Sequence, residues 1–370
     1  IVSWNPDLAL PGASITKLFS TAAALEVLGA NNQVQTQIFM EGTLDTNGML
    51  HGNIWVKGAG DVSLGSRYFQ TPGTELQFLD EWVSAISKAG IKYVTGSVIT
   101  DAASFGYEAC PLGWERADMG NYYGCGSYGL NFYDNTLKLG FKTGSAGKPI
   151  QLNSIFPNDI HYKLNIEATA AAISDDQSYV HGIPFDYERK ITGYLPANQV
   201  NFIVKASMPD PERLLAQLLY EKLQQSGIRV DDGGRSKRFY SIVPNYPTFQ
   251  LIHEHNGEPT SKVVYWTNQR SVNLYAEGLL RQVGYKYYGF GSYCNDWSFL
   301  CYSTIIRIPK SSSRYKFDSI YILDVLEHIH DQLAILKSTQ NYLTQNGKIL
   351  LTVKEGKVCY NLLMQSLDNR

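Results

Sequence analysis

PGASITKLFSTAAALEVLG, residues 11–29, decides how the rest of the chain is read. A Pro-Gly turn and Ser14 precede an apolar run, as at a helix start. Leu18, Ala22, Leu25 and Leu28 recur near a period of 3.6, which predicts a helix with that stripe in the core. Ser14 and Lys17 stand three apart, so a hydroxyl and an amine share one face of the first turn. Serine is a weak nucleophile until a neighbouring base takes its proton, and a lysine of lowered pKa can be that base. The positive end of a helix also favours negative charge developing beside Ser14. Taken alone, the pair reads more simply as a serine N-cap and a solvated lysine.

The bounds are broad. The chain has 370 residues, 44% hydrophobic and 18% charged, enough for more than one core. A net charge of −2 gives no electrostatic case for nucleic acid. No apolar run reaches the roughly 18 residues of a membrane-spanning helix. The chain starts at Ile1 without a methionine, so a processed or truncated product is expected. Cys110, Cys125, Cys294, Cys301 and Cys359 make an odd count with no CxxC pair. That argues against a zinc cluster or a full disulfide framework. Cys110 and Cys125 can pair in an oxidising compartment, but free thiols are the expected state. Abundant Tyr and Gly (25 and 32) suit a turn-rich protein with much β-structure and an aromatic-lined groove.

Outward from the first helix, residues 33–58 alternate around Asn47-Gly48, which predicts a hairpin. GAGDVSLG (58–65) is a Gly-rich loop, and a helix is expected near 75–89. IKYVTGSVITDAASF (91–105) reads as a strand pair and NTLKLGFKTG (135–144) as a strand. Short strands are expected over 151–206, then an amphipathic helix and a strand over 209–230. Helical character returns over 261–284, with Ser271 and Asn273 at a helix entry near Leu274. There a hydroxyl and an amide, two residues apart, can face one cleft. Alone, Ser271 reads as an N-cap.

SxxK followed by SxN is the pair used by serine penicillin-recognising enzymes. Roughly 250 residues separate Lys17 from Ser271. That separation resembles the D-alanyl-D-alanine carboxypeptidase/endopeptidase family, the class C low-molecular-mass penicillin-binding proteins. NPDLALPGASITKLFSTAAALEVLG looks like the family's nucleophile helix with its lead-in. GAGDVSL resembles an early loop of the family's insertion, with Val62 where proline is usual. GSVITDAASF and PLGWERADMGNYYGCGSYGLNFYDNTLKL resemble the insertion's core strands, and SVNLYAEGLLRQVGYKYYGFGSY the second-motif helix. The likeness runs over about residues 1–296.

One departure matters. The family's third motif, Lys-Thr-Gly, follows SxN, whereas the only such triplet here is Lys142–Gly144, ahead of it, in what resembles an insertion strand. After SxN comes YKFDSIYILDVLEHIHD…YLTQNGKILLTV, which resembles strand, helix and strand of an S-adenosylmethionine-dependent methyltransferase. The cofactor's Gly-rich loop is missing from its place, so Asp324, Glu327 and His328 read as structural remnants. His328, His330 and Asp331 fit no common metal spacing. A chimera is the simplest account, with its junction near residue 297.

The resemblance implies an α+β fold: a serine penicillin-binding (β-lactamase-like) catalytic domain split by a large, mostly β insertion. Catalytic residues 1–36 and 246–297 would flank the insertion at 37–245, which itself holds a smaller nested domain in one reading. A short α/β fragment, 298–370, ends the chain. It implies hydrolysis of peptidoglycan stem peptides ending in D-Ala-D-Ala through an acyl-enzyme, with β-lactams as covalent inhibitors. It also implies no metal or organic cofactor, and a place in the bacterial periplasm or cell envelope. Ser14 would be the nucleophile, Lys17 the general base and Ser271 the proton relay. Asn273 would hold the substrate amide and position Lys17. Loss of the third motif would leave the activity impaired. The alternatives are a non-catalytic cell-wall-binding module, or a methyltransferase with an amino-terminal extension.

Overall fold

The computed structural model describes residues 13–292, apart from positions 112 and 242, and the backbone of two later strands at 317–323 and 343–352. After a 3-10 turn at Ala13–Thr16, helix α1 runs over Lys17–Leu28. The hairpin follows as β1 (Gln35–Leu44) and β2 (Met49–Gly58), paired antiparallel. Its turn forms where Asn47-Gly48 predicts it. Gly48 takes φ +88°, and the Asp45 carboxylate accepts from the Asn47 and Met49 N–H groups at 2.8 and 2.9 Å. Helix α2 (Phe78–Lys88), β3 (Tyr93–Val94), β4 (Val98–Asp101), β5 (Thr136–Thr143) and β6 (Ile150–Phe156) come next. Then come β7 (Lys163–Ile166), β8 (Thr169–Ala171), β9 (Gln177–His181), β10 (Glu188–Pro196) and β11 (Phe202–Ser207). Helix α3 (Pro211–Gln225), β12 (Arg229–Val230), β13 (Gly234–Ser236) and β14 (Gln250–Asn256) lead to α4 (Thr260–Arg270) and α5 (Asn273–Tyr288).

Seven strands form the main sheet, in the order β12-β3-β2-β1-β14, with β4 on β2 and β13 on β4. It is mixed rather than a run of hairpins. The strands β3 and β4 pair parallel to β2, and β12 and β13 parallel to β3 and β4. Parallel neighbours need crossovers, and α2 and α3 lie in those connections. Leu79, Trp82, Val83 and Ile86 of α2, and Leu215, Leu219 and Leu223 of α3, repeat at helical spacing and are buried in one cluster with Ile38, Leu50, Ile54 and Val98 of the sheet. On the opposite face Phe39, Trp55 and Ile99 are covered by Tyr246 and Phe249. Strand β14, on the far side of the expected boundary at 246, is part of this sheet through its antiparallel pairing with β1.

Strands β5, β6 and β11 form an antiparallel sheet, and β7, β8 and β9 gather on β10 in a third, four-stranded sheet. Their buried residues, Leu139, Val180, Ile191 and Leu195, join the same cluster as the main sheet. In the tail, β15 (Phe317–Leu323) and β16 (Leu343–Thr352) pair in parallel. Asn346 and Gly347 lie inside β16, where the register jumps from Phe317↔Leu343 to Ser319↔Lys348. The helix expected between the strands, with Asp324, Glu327, His328, His330 and Asp331, lies outside the described residues.

The predicted core stripe of α1 turns outward except at Leu28, which is half-buried against the α5 cluster. Leu18 and Leu25 are 55% and 37% exposed, and the buried positions are Thr21, Ala23 and Ala24. An almost uniformly apolar helix gives periodicity nothing with which to choose a face. Here the small residues face inward, where they permit close approach. Ala24 packs with Leu274, Tyr275, Leu279 and Val283 of α5. Helix α5 is approached as closely on another side: a Cβ at Gly278 would lie 2.3 Å from Val62, so glycine there lets the GAGDVSLG loop rest on the helix.

Two buried carboxyls in this frame carry a pH signature. Burial pushes Glu212 up to about 8, against the hydrogen bonds it accepts from Ser236 Oγ (2.7 Å) and Ala102 N (3.0 Å). Burial likewise pushes Asp61 up to about 6. A carboxyl with a raised folded-state pKa favours folding fully below its ordinary value, and loses that contribution as pH climbs through the raised one. Thermal stability is therefore expected to fall between about pH 5 and about pH 8. Glu212→Gln, which cannot titrate, should flatten that decline in melts recorded across the range.

Candidate active site

The residues that open α1 meet those that open α5. In a 3-10 turn, side chains three apart eclipse one another. Ser14 lies in such a turn and Lys17 is the first residue of α1. Lys17 Nζ accordingly donates to Ser14 Oγ at 2.9 Å. With a neutral amine the same contact reverses, and the Ser14 O–H donates to the Nζ lone pair. Ser271 arrives from the other end of the sequence. It breaks the predicted helical segment in two, capping α4 in the left-handed region (φ +54°, ψ +40°), with α5 starting two residues later. A non-glycine residue there is held in place by its surroundings, and such residues gather at functional sites. Its hydroxyl donates to Ser14 Oγ at 2.8 Å. Ser14, Lys17 and Ser271 thus share one oxygen.

Asn273 stands at the same helix entry, but its amide is used differently from the expectation. Nδ2 donates to the Tyr123 carbonyl at 2.8 Å, and no hydrogen bond to Lys17 is formed among the described residues. As the first residue of α5, Asn273 points at the 3-10 turn Tyr122–Gly124. One helical turn further, Glu277 brings a carboxylate towards the α1 interface. Burial lowers the Lys17 pKa, and Glu277 opposes that. Burial pushes Glu277 up to about 7, against the pull of Arg281 and Lys17. A lysine with a lowered pKa, hydrogen-bonded to a serine hydroxyl, can act as a base near neutrality.

Further residues hold this entry in place. The Tyr275 hydroxyl donates to Asp134 Oδ1 at 3.1 Å and also bonds Ser66 Oγ, while Arg67 Nε lies 3.4 Å from Asp134. Arg281, fully buried, donates to the carbonyls of Gly291 (2.8 Å), Glu108 (2.9 Å), Ser127 (2.5 Å) and Phe105. The sequence offered one usable signal for these partners. Glu277 sits four residues after Asn273, on the same helix face. Asp134, Tyr123 and the carbonyls around Arg281 are brought in by chain folding and have no local pattern.

Lys142 and Thr143 lie far along β5, in the three-stranded sheet. The Thr143 hydroxyl donates to Pro196 O at 2.6 Å and accepts from Gln199 N at 2.8 Å. Among the described residues no group of three or more His, Cys, Asp or Glu is arranged to hold a metal ion. Cys110 and Cys125 are free thiols, and burial pushes Cys110 up to about 12.

The model of the D-Ala-D-Ala carboxypeptidase 3 (S13) family matches residues 1–302. The chain belongs to the S13 family. Among curated relatives of this S13 chain, the D-alanyl-D-alanine carboxypeptidase of Actinomadura sp. (strain R39) is 22% identical over 289 residues, 76% of this chain and 51% of that protein. The D-alanyl-D-alanine carboxypeptidase DacB of Haemophilus influenzae is 24% identical over 294 residues, 78% of this chain and 57% of that protein. The chain therefore spans about half the length of the curated relatives it matches. The crystal structure of penicillin binding protein 4 (dacB) from Haemophilus influenzae superposes with a TM-score of 0.60 at 21% identity. The match covers 76% of this chain and 59% of that one. The structure of that protein complexed with a β-lactam gives 0.55 at 19%, over 76% and 57%. These likenesses carry the mixed α/β fold. The S13 match ends at residue 302 and lends no support to the methyltransferase reading of the tail.

Proposed function

We propose that this chain is a serine D-alanyl-D-alanine carboxypeptidase/endopeptidase that acylates on Ser14, with Lys17 as base, Ser271 as proton relay and Asn273 as a ligand for the substrate amide. The observation that carries the reading is the single oxygen, Ser14 Oγ, on which Lys17 Nζ and Ser271 Oγ converge at 2.9 and 2.8 Å. Lys17 Nζ takes the Ser14 proton as Oγ attacks the penultimate carbonyl carbon of a stem peptide ending in D-Ala-D-Ala. Ser271 passes a proton to the leaving amine, D-Ala departs, and water hydrolyses the ester. A β-lactam, an acyl donor of similar shape, would be trapped at the ester stage. The S13 membership supports this substrate class.

We place the catalytic part at 1–36 and 246–297, the insertion at 37–245 and a separate α/β segment at 298–370. The periplasm or cell envelope is the matching compartment, and no described helix is long and apolar enough to cross a membrane. The sequence holds no Lys-Thr-Gly after Ser271. In the family chemistry the strand bearing that triplet supplies one oxyanion donor and the partner of the substrate's terminal carboxylate. Losing one such donor costs about 10²–10³ in turnover, so we propose a slow enzyme. The same absence favours, as the second reading, binding of cell-wall peptide without turnover. D-Ala release from a D-Ala-D-Ala peptide, compared between the chain and Asn273→Ala, separates them. Slow release that falls further in the variant supports catalysis, and binding with no release supports the second reading.

A further inference from the structure

Glu277 has no part in the reaction as written, yet its position is unusual. It lies one turn beyond Asn273 on α5, the helix that packs against α1 beneath the Ser14 site. Its Oε2 is shielded from solvent and meets no hydrogen-bond donor among the described residues. Leaving a buried carboxylate oxygen without a donor is costly, so the charge of this group answers to the charged side chains around it. The charged and titratable groups it faces are Lys17 on α1, Arg281 on its own helix and the Cys110 thiol. Arg281 is engaged by four backbone carbonyls. Lys17 shares no ion pair with Glu277 within 4 Å, and its ammonium is held on Ser14 instead.

We propose that Glu277 is a positioning residue for Lys17: across the α1–α5 interface its carboxylate sets the charge carried by Nζ, and with it the pH at which Ser14 becomes a nucleophile. The inference rests on the assignment of Ser14 and Lys17 as nucleophile and base. In the acylation step the Ser14 O–H bond breaks, an N–H bond forms on Lys17, and the Oγ electron pair goes to the carbonyl carbon. The new ammonium faces Glu277, and an ionised carboxylate there favours the proton's arrival. Burial pushes the Glu277 carboxyl up to about 7, so this support weakens as the medium turns acidic.

The test needs no turnover. Trace acetylation of the full chain with acetic anhydride, followed across neutral and alkaline pH by mass spectrometry of the Lys17 peptide, reports the midpoint of that amine. In Glu277→Gln the midpoint is expected to move to lower pH. In Glu277→Asp, whose carboxylate is withdrawn by one methylene, it should move the same way by less, with the Lys142 peptide from β5 as the internal reference for reagent in all three proteins. An unmoved or raised Lys17 midpoint in either folded variant overturns the proposal. Acylation by a fluorescent penicillin, followed against pH, is the second arm, with the alkaline-requiring limb expected at lower pH in Glu277→Gln. If penicillin never reaches Ser14, the enzymatic assignment fails, while the Lys17 midpoint still decides whether Glu277 governs that amine.

Discussion

Lys17→Ala is expected to slow the acylation of Ser14 by a fluorescent penicillin by about 10²–10⁴, the usual contribution of a positioned general base. The geometry gives the reason. Lys17 is the only amine hydrogen-bonded to Ser14 Oγ among the described residues, at 2.9 Å, and burial already disfavours its charge. Without it the serine must lose its proton to Ser271, a hydroxyl far too weak a base, or to water. Lys17→Arg should be almost as damaging, because a guanidinium is not deprotonated in proteins. Lys142→Ala is the matched control. Its Lys-Thr-Gly triplet imitates a motif of the family, but it lies on β5, tied through Thr143 to Pro196 and Gln199. Acylation should be unchanged. Gel fluorescence against time for the four proteins checks all of this.

Arg281→Met is expected to be the most damaging substitution for the fold. Methionine fills much of the volume but donates nothing, so the carbonyls of Phe105, Glu108, Ser127 and Gly291 each lose a charged donor in a buried site. Unmade buried bonds cost about 1–3 kcal/mol each. Four of them approach the whole stability of a typical domain, roughly 5–15 kcal/mol. The variant should collect as insoluble protein or unfold at far lower urea than the parent. Arg281→Lys keeps the charge but not the planar fork, and should fall between the two. A urea midpoint close to the parent's in Arg281→Met would show that these carbonyls find other donors.

The legible parts of the molecule are those written locally. Asn47-Gly48 marked the hairpin because a tight turn needs the positive φ that Gly48 takes. The amphipathic helix expected from 209 forms as α3, and its start is local chemistry too: the Asp210 carboxylate accepts from Arg213 N at 3.1 Å, with Pro211 in the first turn. Ser14 and Lys17 were readable as a pair because three-residue spacing and an apolar run are local features. Ser271 was readable only through its likeness to a second motif, since nothing nearby in the chain marks it as a neighbour of Ser14. What escaped has physical causes. The face of α1 was misjudged because Leu18 and Leu25 look like core, while alanines are what let two helices approach. The parallel pairs β2–β3 and β2–β4 depend on crossovers that no alternation pattern encodes. Asn273 was expected to reach for Lys17, but the loop that brings the Tyr123 carbonyl lies 150 positions away in sequence.

On the proposed reading Ser14, whose Oγ is the meeting point of two distant motifs, is the residue that takes the acyl group. Intact-mass and peptide-level mass spectrometry after prolonged incubation with a β-lactam tests it most directly. A single, slowly forming adduct on the Ser14 peptide, absent from Ser14→Ala, is the predicted result. An adduct that persists in Ser14→Ala, or a folded chain that never acquires one, contradicts it.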